Sequence, residues 1–83
     1  MALVTGAARR IGRVITLELA RHGWDVVLHC RGGAASLGDA EATADEARAC
    51  GAIARVLAAD LADEAACEAL VPAAVAACLV YLR

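Results

Sequence analysis

The sequence predicts an α/β fold in which three parallel strands alternate with three helices. Three short apolar segments, at residues 1–4, 24–30 and 52–59, have the composition of buried strands. A segment of helical character follows each of them after a short connection. Short connections and right-handed crossovers then place the strands in the spatial order 3-2-1, with helices on both faces of the sheet.

The first strand and the first helix flank a glycine turn, VTGAARRIG at residues 4–12. Helical periodicity begins at Arg10, and we expect the helix to end at His22, with Gly23 in the C′ position. Four residues at helical spacing are predicted to form the apolar face of this helix: Ile11, Val14, Ile15 and Leu19.

The second strand centres on residues 26–28, VVL, a continuous apolar run of the kind that is buried on both faces of a parallel sheet. Gly32 and Gly33 then interrupt the chain. Residues 39–50, DAEATADEARAC, are polar with interspersed alanines. They predict a surface helix that Gly51 ends in the same manner as the first.

The third strand is predicted over residues 52–59, AIARVLAA, and is followed by the third helix. Asp63 is the expected N-cap of that helix. Pro72 falls inside the helical pattern, where it removes the hydrogen bond to the carbonyl of Glu68 and is expected to kink or stop the helix. Three residues are the expected anchors of the strand: Ile53, Val56 and Leu57.

The resulting order, β-α-β-α-β-α, predicts a Rossmann-like three-layer arrangement that forms half of a dinucleotide-binding fold. A chain of 83 residues forms at most one small domain, which excludes a large two-lobed enzyme. The composition is 61% hydrophobic but only 2% aromatic, so the helices can pack closely while few large side chains fill the core. We therefore expect modest stability.

The charges argue against a nucleic-acid partner. Eight arginines and ten acidic residues give a net charge of -2, so no overall basic field draws the chain to nucleic acid. Arg9, Arg10 and Arg13 instead cluster in the first turn of a predicted helix, where cations oppose the helix dipole unless an anion lies between them. A solvated charged turn remains the alternative interpretation.

The four cysteines form no C-x-x-C pair and lie at no zinc-finger spacing from the histidines, so we predict no metal site. The N-terminal residues do not resemble a signal peptide, and we expect a cytoplasmic protein whose cysteines are mostly buried. The most apolar run, residues 69–82, is shorter than the roughly 18 residues that span a bilayer, so no membrane association is predicted.

The glycine turn is a candidate phosphate site. Gly6 and Gly12 do not complete a G-x-G-x-x-G motif, because Arg10 stands where a middle glycine is expected. A strand precedes the turn and an amphipathic helix follows it, so backbone N–H groups at the helix N-terminus point at an anion. A plain tight turn is the alternative.

The end of the second strand indicates which dinucleotide is bound. An acidic residue at this position would bind the ribose hydroxyls of NAD, but the chain has His29-Cys30-Arg31. The guanidinium of Arg31 suits the 2′-phosphate of NADP, and Arg10 is placed to approach the same phosphate. These residues predict NADP as the cofactor, with a solvated loop arginine as the alternative.

Three segments in this order, ALVTGAARRIG, VVLHCRGG and ADLAD, resemble the N-terminal half of a short-chain dehydrogenase/reductase. Arg10 in place of the middle glycine resembles the pteridine reductase branch. Asp60 would hydrogen-bond the adenine amino group, although a loop residue that caps the next helix is the alternative. The resemblance implies three groups of cofactor-binding residues: Gly6, Arg10, Ile11 and Gly12 at the pyrophosphate, His29, Cys30, Arg31 and Gly33 at the ribose phosphate, and Asp60 and Leu61 at the adenine.

The departures from that family concern the catalytic residues. Gly33 stands where such reductases often have a serine, so one hydroxyl contact to the 2′-phosphate is missing. The family also has a Tyr-x-x-x-Lys pair, whereas Tyr81 is the only tyrosine here and lysine is absent. A pair formed by Cys30 and His22 is not expected to replace it. We therefore predict no catalytic residues.

Two functional interpretations follow. In the first, residues 1–83 are the truncated N-terminal, NADP-binding region of a carbonyl or pterin reductase, with the catalytic half absent. In the second, the chain is a non-enzymatic nucleotide-binding or interaction module. The sequence provides no convincing fourth strand to cover the first, so we expect self-association through its uncovered edge; a tail that folds back as a fourth strand, at residues 79–81, is the alternative.

Overall fold

A computed structural model describes residues 1–79, and it shows one parallel sheet with helices between its strands. The strand order is β1-β2-β3, which confirms the predicted fold class. The elements alternate along the chain: β1 (Ala2–Val4), α1 (Arg10–Arg21), β2 (Val26–Cys30), α2 (Ala34–Ala49), β3 (Ala54–Ala58) and α3 (Glu64–Leu79). Among the described helices, none has the length and apolar character to cross a membrane.

The central strand, β2, pairs with both of the other strands. Val26 pairs with Ala2 of β1 and Ala54 of β3, and the register continues in parallel to Cys30 beside Ala58. All five residues of β2 are buried, as its continuous apolar run predicts, because helices cover both faces of the sheet. The carboxyl ends of β1 and β2 therefore lie side by side.

The main core lies between the sheet and the helix pair α1 and α2. Val26 and Leu28 of β2 contribute to it with Leu17 of α1 and with small residues of both helices, Ala20 and Ala47 among them. Alanine at these positions allows close approach of the helices to the sheet. Full burial of a Val or Leu side chain contributes about 1.5 to 3 kcal/mol, so these few residues supply much of the stability.

The apolar face predicted for α1 was wrong at three of its four residues, whereas Leu19 is half-buried and packs against the core. Ile11, Val14 and Ile15 are 75%, 58% and 45% exposed, and the buried residues of the helix are Thr16, Leu17 and Ala20. Small and medium side chains face the core because α2 and the sheet both lie close to this side of the helix. The hydroxyl of Thr16 is satisfied there by the carbonyl of Gly12, 2.8 Å away.

Helices α1 and α2 each end with a glycine in the C′ position, as predicted. The hydrogen bonds at both ends form Schellman motifs. At the end of α1, Gly23 has φ 88° and its N–H donates to Ala20, while the N–H of Trp24 donates to Leu19. Gly51 has φ 92° and ends α2 in the same way. Glycine is suited to both positions because an L side chain rarely adopts this backbone conformation.

Helix α2 begins five residues earlier than the predicted residue 39. Gly32 and Gly33 have φ values of 107° and 87°, and the helix starts directly after them. The N–H of Leu37 already donates to the carbonyl of Gly33. Ala34 and Ala35 are strong helix formers, so the loop ends as soon as the glycines have turned the chain.

Helix α3 differs from its prediction at Pro72. Asp63 caps the helix as expected, since its carboxylate accepts the N–H groups of Ala65 and Ala66 at 3.0 and 3.3 Å. The helix does not stop at Pro72 but continues to Leu79. Both Pro72 and Glu68 are exposed, so water can hydrogen-bond the carbonyl of Glu68 that the proline leaves without a donor.

The α3 side of the sheet is packed less tightly than the other side. Of the α3 side chains that the structure describes, only Leu70 and Ala74 are buried. Gaps of about 180 and 170 Å³ separate the helix from β1 and β2 and from β3, respectively. Six apolar residues line the first gap: Met1, Leu3, Val27, Val71, Ala74 and Val75.

Candidate functional site

A cleft of about 510 Å³ opens where β1 and β2 end. Its lining comes from the glycine turn after β1, namely Gly6, Ala8 and Arg9, and from residues 30–36 after β2. Ligands of open parallel sheets bind at the carboxyl ends of the strands. The cleft is therefore the candidate site, and it contains four of the predicted site residues: Gly6, Cys30, Arg31 and Gly33.

Gly12 lies against the carbonyl of Gly6, at the contact between α1 and the glycine turn, and it does not line the cleft. A Cβ atom at Gly12 would lie 2.1 Å from the carbonyl oxygen of Gly6. No side chain fits at that separation, so α1 can approach the turn only with glycine at this position. Gly6 itself has φ 61°, which allows the chain to turn sharply after β1.

His29 lies beneath the turn with 4% of its surface exposed. The N–H of Gly6 donates to its Nδ1 at 3.1 Å, so a neutral ring carries its proton on Nε2. That nitrogen lies 2.8 Å from the carbonyl of Ala59 and donates to it. Both ring nitrogens of His29 therefore have protein partners, and a contact of this residue with a cofactor phosphate stays a prediction.

Arg10 has φ 56°, the only positive φ at a non-glycine residue in the described chain. This is the position where the sequence motif would have a glycine, and the backbone keeps the conformation that suits glycine. For an L residue the left-handed region costs roughly 1 to 2 kcal/mol. Arg10 and Ile11 are exposed and lie outside the lining of the cleft.

The arginines near the turn divide into two groups. Arg9 pairs with Asp39 and Arg13 pairs with Glu46, and these partly exposed ion pairs join α1 to α2. Such pairs contribute at most about 1 kcal/mol each. Arg10 and Arg31 form no ion pair within residues 1–79. Their charges remain available to an anion, and Arg31 lines the cleft.

The N-terminus of α2 also faces the cleft, through Ala34, Ala35 and Ser36. Its N-cap is Gly33, which supplies no side-chain hydrogen bond, and the first turn contains no acidic residue. Free backbone N–H groups and the helix dipole favour an anion here. Sequence reasoning missed this contribution because it placed the helix start at Asp39; the alanines directly after Gly33 were the available signal.

Asp60 and Leu61 lie outside the cleft lining, in the exposed turn after β3. The carboxylate of Asp60 accepts the N–H of Ala62 at 3.0 Å, and its carbonyl accepts the N–H of Asp63 at 3.0 Å. Asp60 therefore shapes the turn, whereas Asp63 is the residue that caps α3.

The cysteines and histidines near the site offer no catalytic pair in the described structure. Cys30 is buried, His22 contacts the Glu18 carbonyl at the end of α1, and His29 is fully engaged. Cys50 and Cys67 are exposed, so the expectation that the cysteines are mostly buried was wrong for these two. No cluster of three potential metal ligands occurs within residues 1–79.

Fold and sequence together place the chain in a known protein family. A model of the short chain dehydrogenase family matches residues 1–79, so the chain belongs to this family. In sequence it is 47% identical over 55 residues to the 3-oxoacyl-[acyl-carrier-protein] reductase FabG of Aggregatibacter actinomycetemcomitans, an alignment that covers 66% of the chain and 22% of that reductase.

Solved structures show the same relationship. A metagenomic short-chain oxidoreductase in complex with NADP superimposes with a TM-score of 0.81 at 36% identity, covering 92% of this chain and 33% of that one. An NAD⁺-bound xylitol dehydrogenase superimposes with a TM-score of 0.79 at 30% identity, covering 89% and 27%. The chain thus spans between about a fifth and a third of the length of these relatives.

Proposed function

We propose that this chain is the NADP-binding N-terminal region of a short-chain dehydrogenase/reductase. The observation that carries the proposal is the position of Arg31, which lines the cleft beside the uncapped N-terminus of α2 and has no ion-pair partner in residues 1–79. A guanidinium next to free backbone N–H groups suits a phosphate dianion.

The choice between the two dinucleotides rests on this charge. Relatives of the chain have been solved with NADP and with NAD⁺, so membership of the family leaves the choice open. An acidic residue at the end of β2 would favour the ribose hydroxyls of NAD, but Cys30 and Arg31 occupy this place. The positive charge supports the 2′-phosphate of NADP.

We assign the remaining contacts as part of the same proposal. Gly6 and the N-terminus of α1 take the pyrophosphate, with Gly12 allowing their close approach. Arg10 and Ile11 lie on the exposed side of the glycine turn, and Asp60 with Leu61, in the turn that follows β3, takes the adenine. Residues 30–36 surround the ribose phosphate, a larger set than the sequence indicated.

The parent reaction in this proposal is NADPH-dependent reduction of a carbonyl or pterin-type substrate. Arg10 in place of the middle glycine supports the pteridine reductase branch, and its glycine-like φ supports the alignment of this residue with the motif. The chain itself is not expected to turn over, because it contains no lysine and its single tyrosine is Tyr81.

A second candidate function is a non-enzymatic interaction module. It is favoured by the exposed apolar residues on α1 and α3, among them Ile11, Val71 and Val75. This interpretation requires no affinity for a dinucleotide, so binding separates the two.

Calorimetric titration of the purified chain with NADPH and with NADH tests the proposal. We expect measurable binding of NADPH and weaker binding of NADH. Gly12→Leu is the negative control, since its side chain cannot fit against Gly6. Failure of the original chain to bind either dinucleotide would favour the interaction module, and steady NADPH oxidation with a pterin or quinone that Gly12→Leu abolishes would contradict the absence of turnover.

A further inference from the structure

His29 connects the two parts of the chain that border the proposed dinucleotide site. Its Nδ1 accepts the N–H of Gly6 in the turn after β1, and its Nε2 donates to the carbonyl of Ala59 in the segment after β3. Its own carbonyl accepts the N–H of Ala7 at 2.9 Å. One residue of the central strand therefore makes contact with both neighbouring loops.

The imidazole ring is suited to this double contact by its chemistry. A neutral ring has an acceptor on one nitrogen and a donor on the other, pointing in different directions. Each intramolecular hydrogen bond of this kind stabilises the fold, and a buried partner left unsatisfied destabilises it by more than the hydrogen bond contributes. Because His29 is 4% exposed, water cannot readily replace either contact.

We propose that His29 is a positioning residue for the dinucleotide site, acting through Gly6 and Ala59 rather than by touching the cofactor. By holding the N–H of Gly6, the ring fixes the position of the glycine turn below a pyrophosphate, and by holding the carbonyl of Ala59 it fixes the start of the loop that carries Asp60. This inference rests on the proposed function. It goes further because it states that one buried side chain, His29, sets the distance between the glycine turn and the loop after β3.

Two variants separate the two hydrogen bonds. In His29→Asn the amide oxygen stands near the place of Nδ1 and retains an acceptor for Gly6, while the contact to Ala59 is lost. In His29→Gln the amide nitrogen reaches toward the place of Nε2 and retains a donor for Ala59, while Gly6 loses its acceptor. Each variant removes one hydrogen bond, so we expect similar losses of folding stability in urea.

We expect the two variants to differ in their affinity for NADPH although they lose similar amounts of folding stability. Loss of the Gly6 contact should weaken NADPH binding about tenfold in His29→Gln, which corresponds to about 1.4 kcal/mol. His29→Asn should retain most of the affinity of the original chain. A purely structural role predicts equal affinities for the folded fraction of both variants, and that result would overturn the proposal.

Measurements on the turn itself keep the inference independent of cofactor binding. Hydrogen exchange of the Gly6 amide without any dinucleotide should accelerate in His29→Gln and change little in His29→Asn; equal exchange in all three chains would overturn the proposal. In the original chain, nitrogen NMR of the neutral ring should show a proton on Nε2 and none on Nδ1, and the opposite tautomer would also overturn the proposal. Failure of NADPH to bind while Gly6 behaves as expected would contradict the proposed function alone.

Discussion

At the residue scale, the charge in the cleft depends on how the arginines are paired. Arg9 and Arg13 are held by acids of α2, whereas Arg10 and Arg31 have no such partner in the described residues. Four arginines that look alike in the sequence therefore have two different roles. Two join helices, and two remain available to an anion.

Reversal of the charge at Arg31 should reverse the cofactor preference. Arg31→Asp removes the cation beside the α2 N-terminus and adds a carboxylate that repels a 2′-phosphate but can accept ribose hydroxyls. We expect NADPH affinity to fall about tenfold or more while NADH affinity is kept or raised, since a hydrogen bond to a charged group contributes about 1.5 to 3 kcal/mol. Calorimetry on both cofactors measures this.

The matched control is Arg21→Asp, which makes the same charge change on the exposed end of α1. It should leave the ratio of the two affinities unchanged. Equal binding of NADPH and NADH to the original chain would refute the charge argument.

Arg10 is expected to be a site of backbone strain. Arg10→Gly should stabilise the fold by about 1 kcal/mol, because the left-handed backbone at φ 56° is unfavourable for arginine and favourable for glycine. The same change should reduce the preference for NADPH. Urea denaturation measures the first effect, and Arg9→Gly, where φ is -145°, serves as the control that gains no stability.

At the element scale, the junction between β1 and α1 depends on glycine for two different reasons. Gly6 supplies a positive φ in the turn, and Gly12 supplies the absence of a side chain where α1 contacts the turn. The helices themselves end at glycines in Schellman motifs. Local sequence was sufficient to predict these ends because each uses hydrogen bonds within a few residues.

Two glycine-to-alanine changes should have opposite effects on stability. Gly12→Ala places a Cβ 2.1 Å from the Gly6 carbonyl, so the turn must shift, and we expect a loss of several kcal/mol together with loss of nucleotide binding. Gly38→Ala lies within α2 with open space around it and should stabilise the fold by about 0.5 to 1 kcal/mol. Chemical denaturation compares the two; equal midpoints would show that α1 does not contact the turn closely.

At the scale of the whole molecule, an unpaired edge of the sheet at β1 occurs together with exposed apolar side chains on two helices. In the described chain, β1 pairs with β2 alone. Ile11, Val14 and Ile15 are exposed on α1, and Val71 and Val75 are exposed on α3. An unpaired strand edge with apolar neighbours favours addition of another copy.

We predict that the purified chain self-associates. Light scattering should report species larger than a monomer, and the double variant Ile15→Glu with Val75→Glu should reduce their size, since both side chains are about half exposed. Ala62→Glu, on the exposed turn before α3, is the control and should change little. A monodisperse monomer with a cooperative melt would contradict the prediction and favour the self-contained module.

Prediction from the sequence succeeded where the determinants were local. The alternation of strands and helices, the Schellman glycines and the Asp63 cap all depend on neighbouring residues, and the structure confirms them. The start of α2 was predicted too late because the polar pattern begins at Asp39, whereas the helix already includes the alanines that follow Gly33. The cleft could be located approximately, since its two loops follow adjacent parallel strands.

By itself the sequence determined the order of elements, the parallel sheet and the loops that meet at its carboxyl edge. Tertiary structure alone decided which side of α1 is buried, which arginines are paired and where His29 directs its ring. Helical periodicity reports where apolar residues recur, but burial depends on the elements that lie against the helix. Pairing and hydrogen bonding across 23 to 33 residues likewise depend on how the chain brings distant segments together.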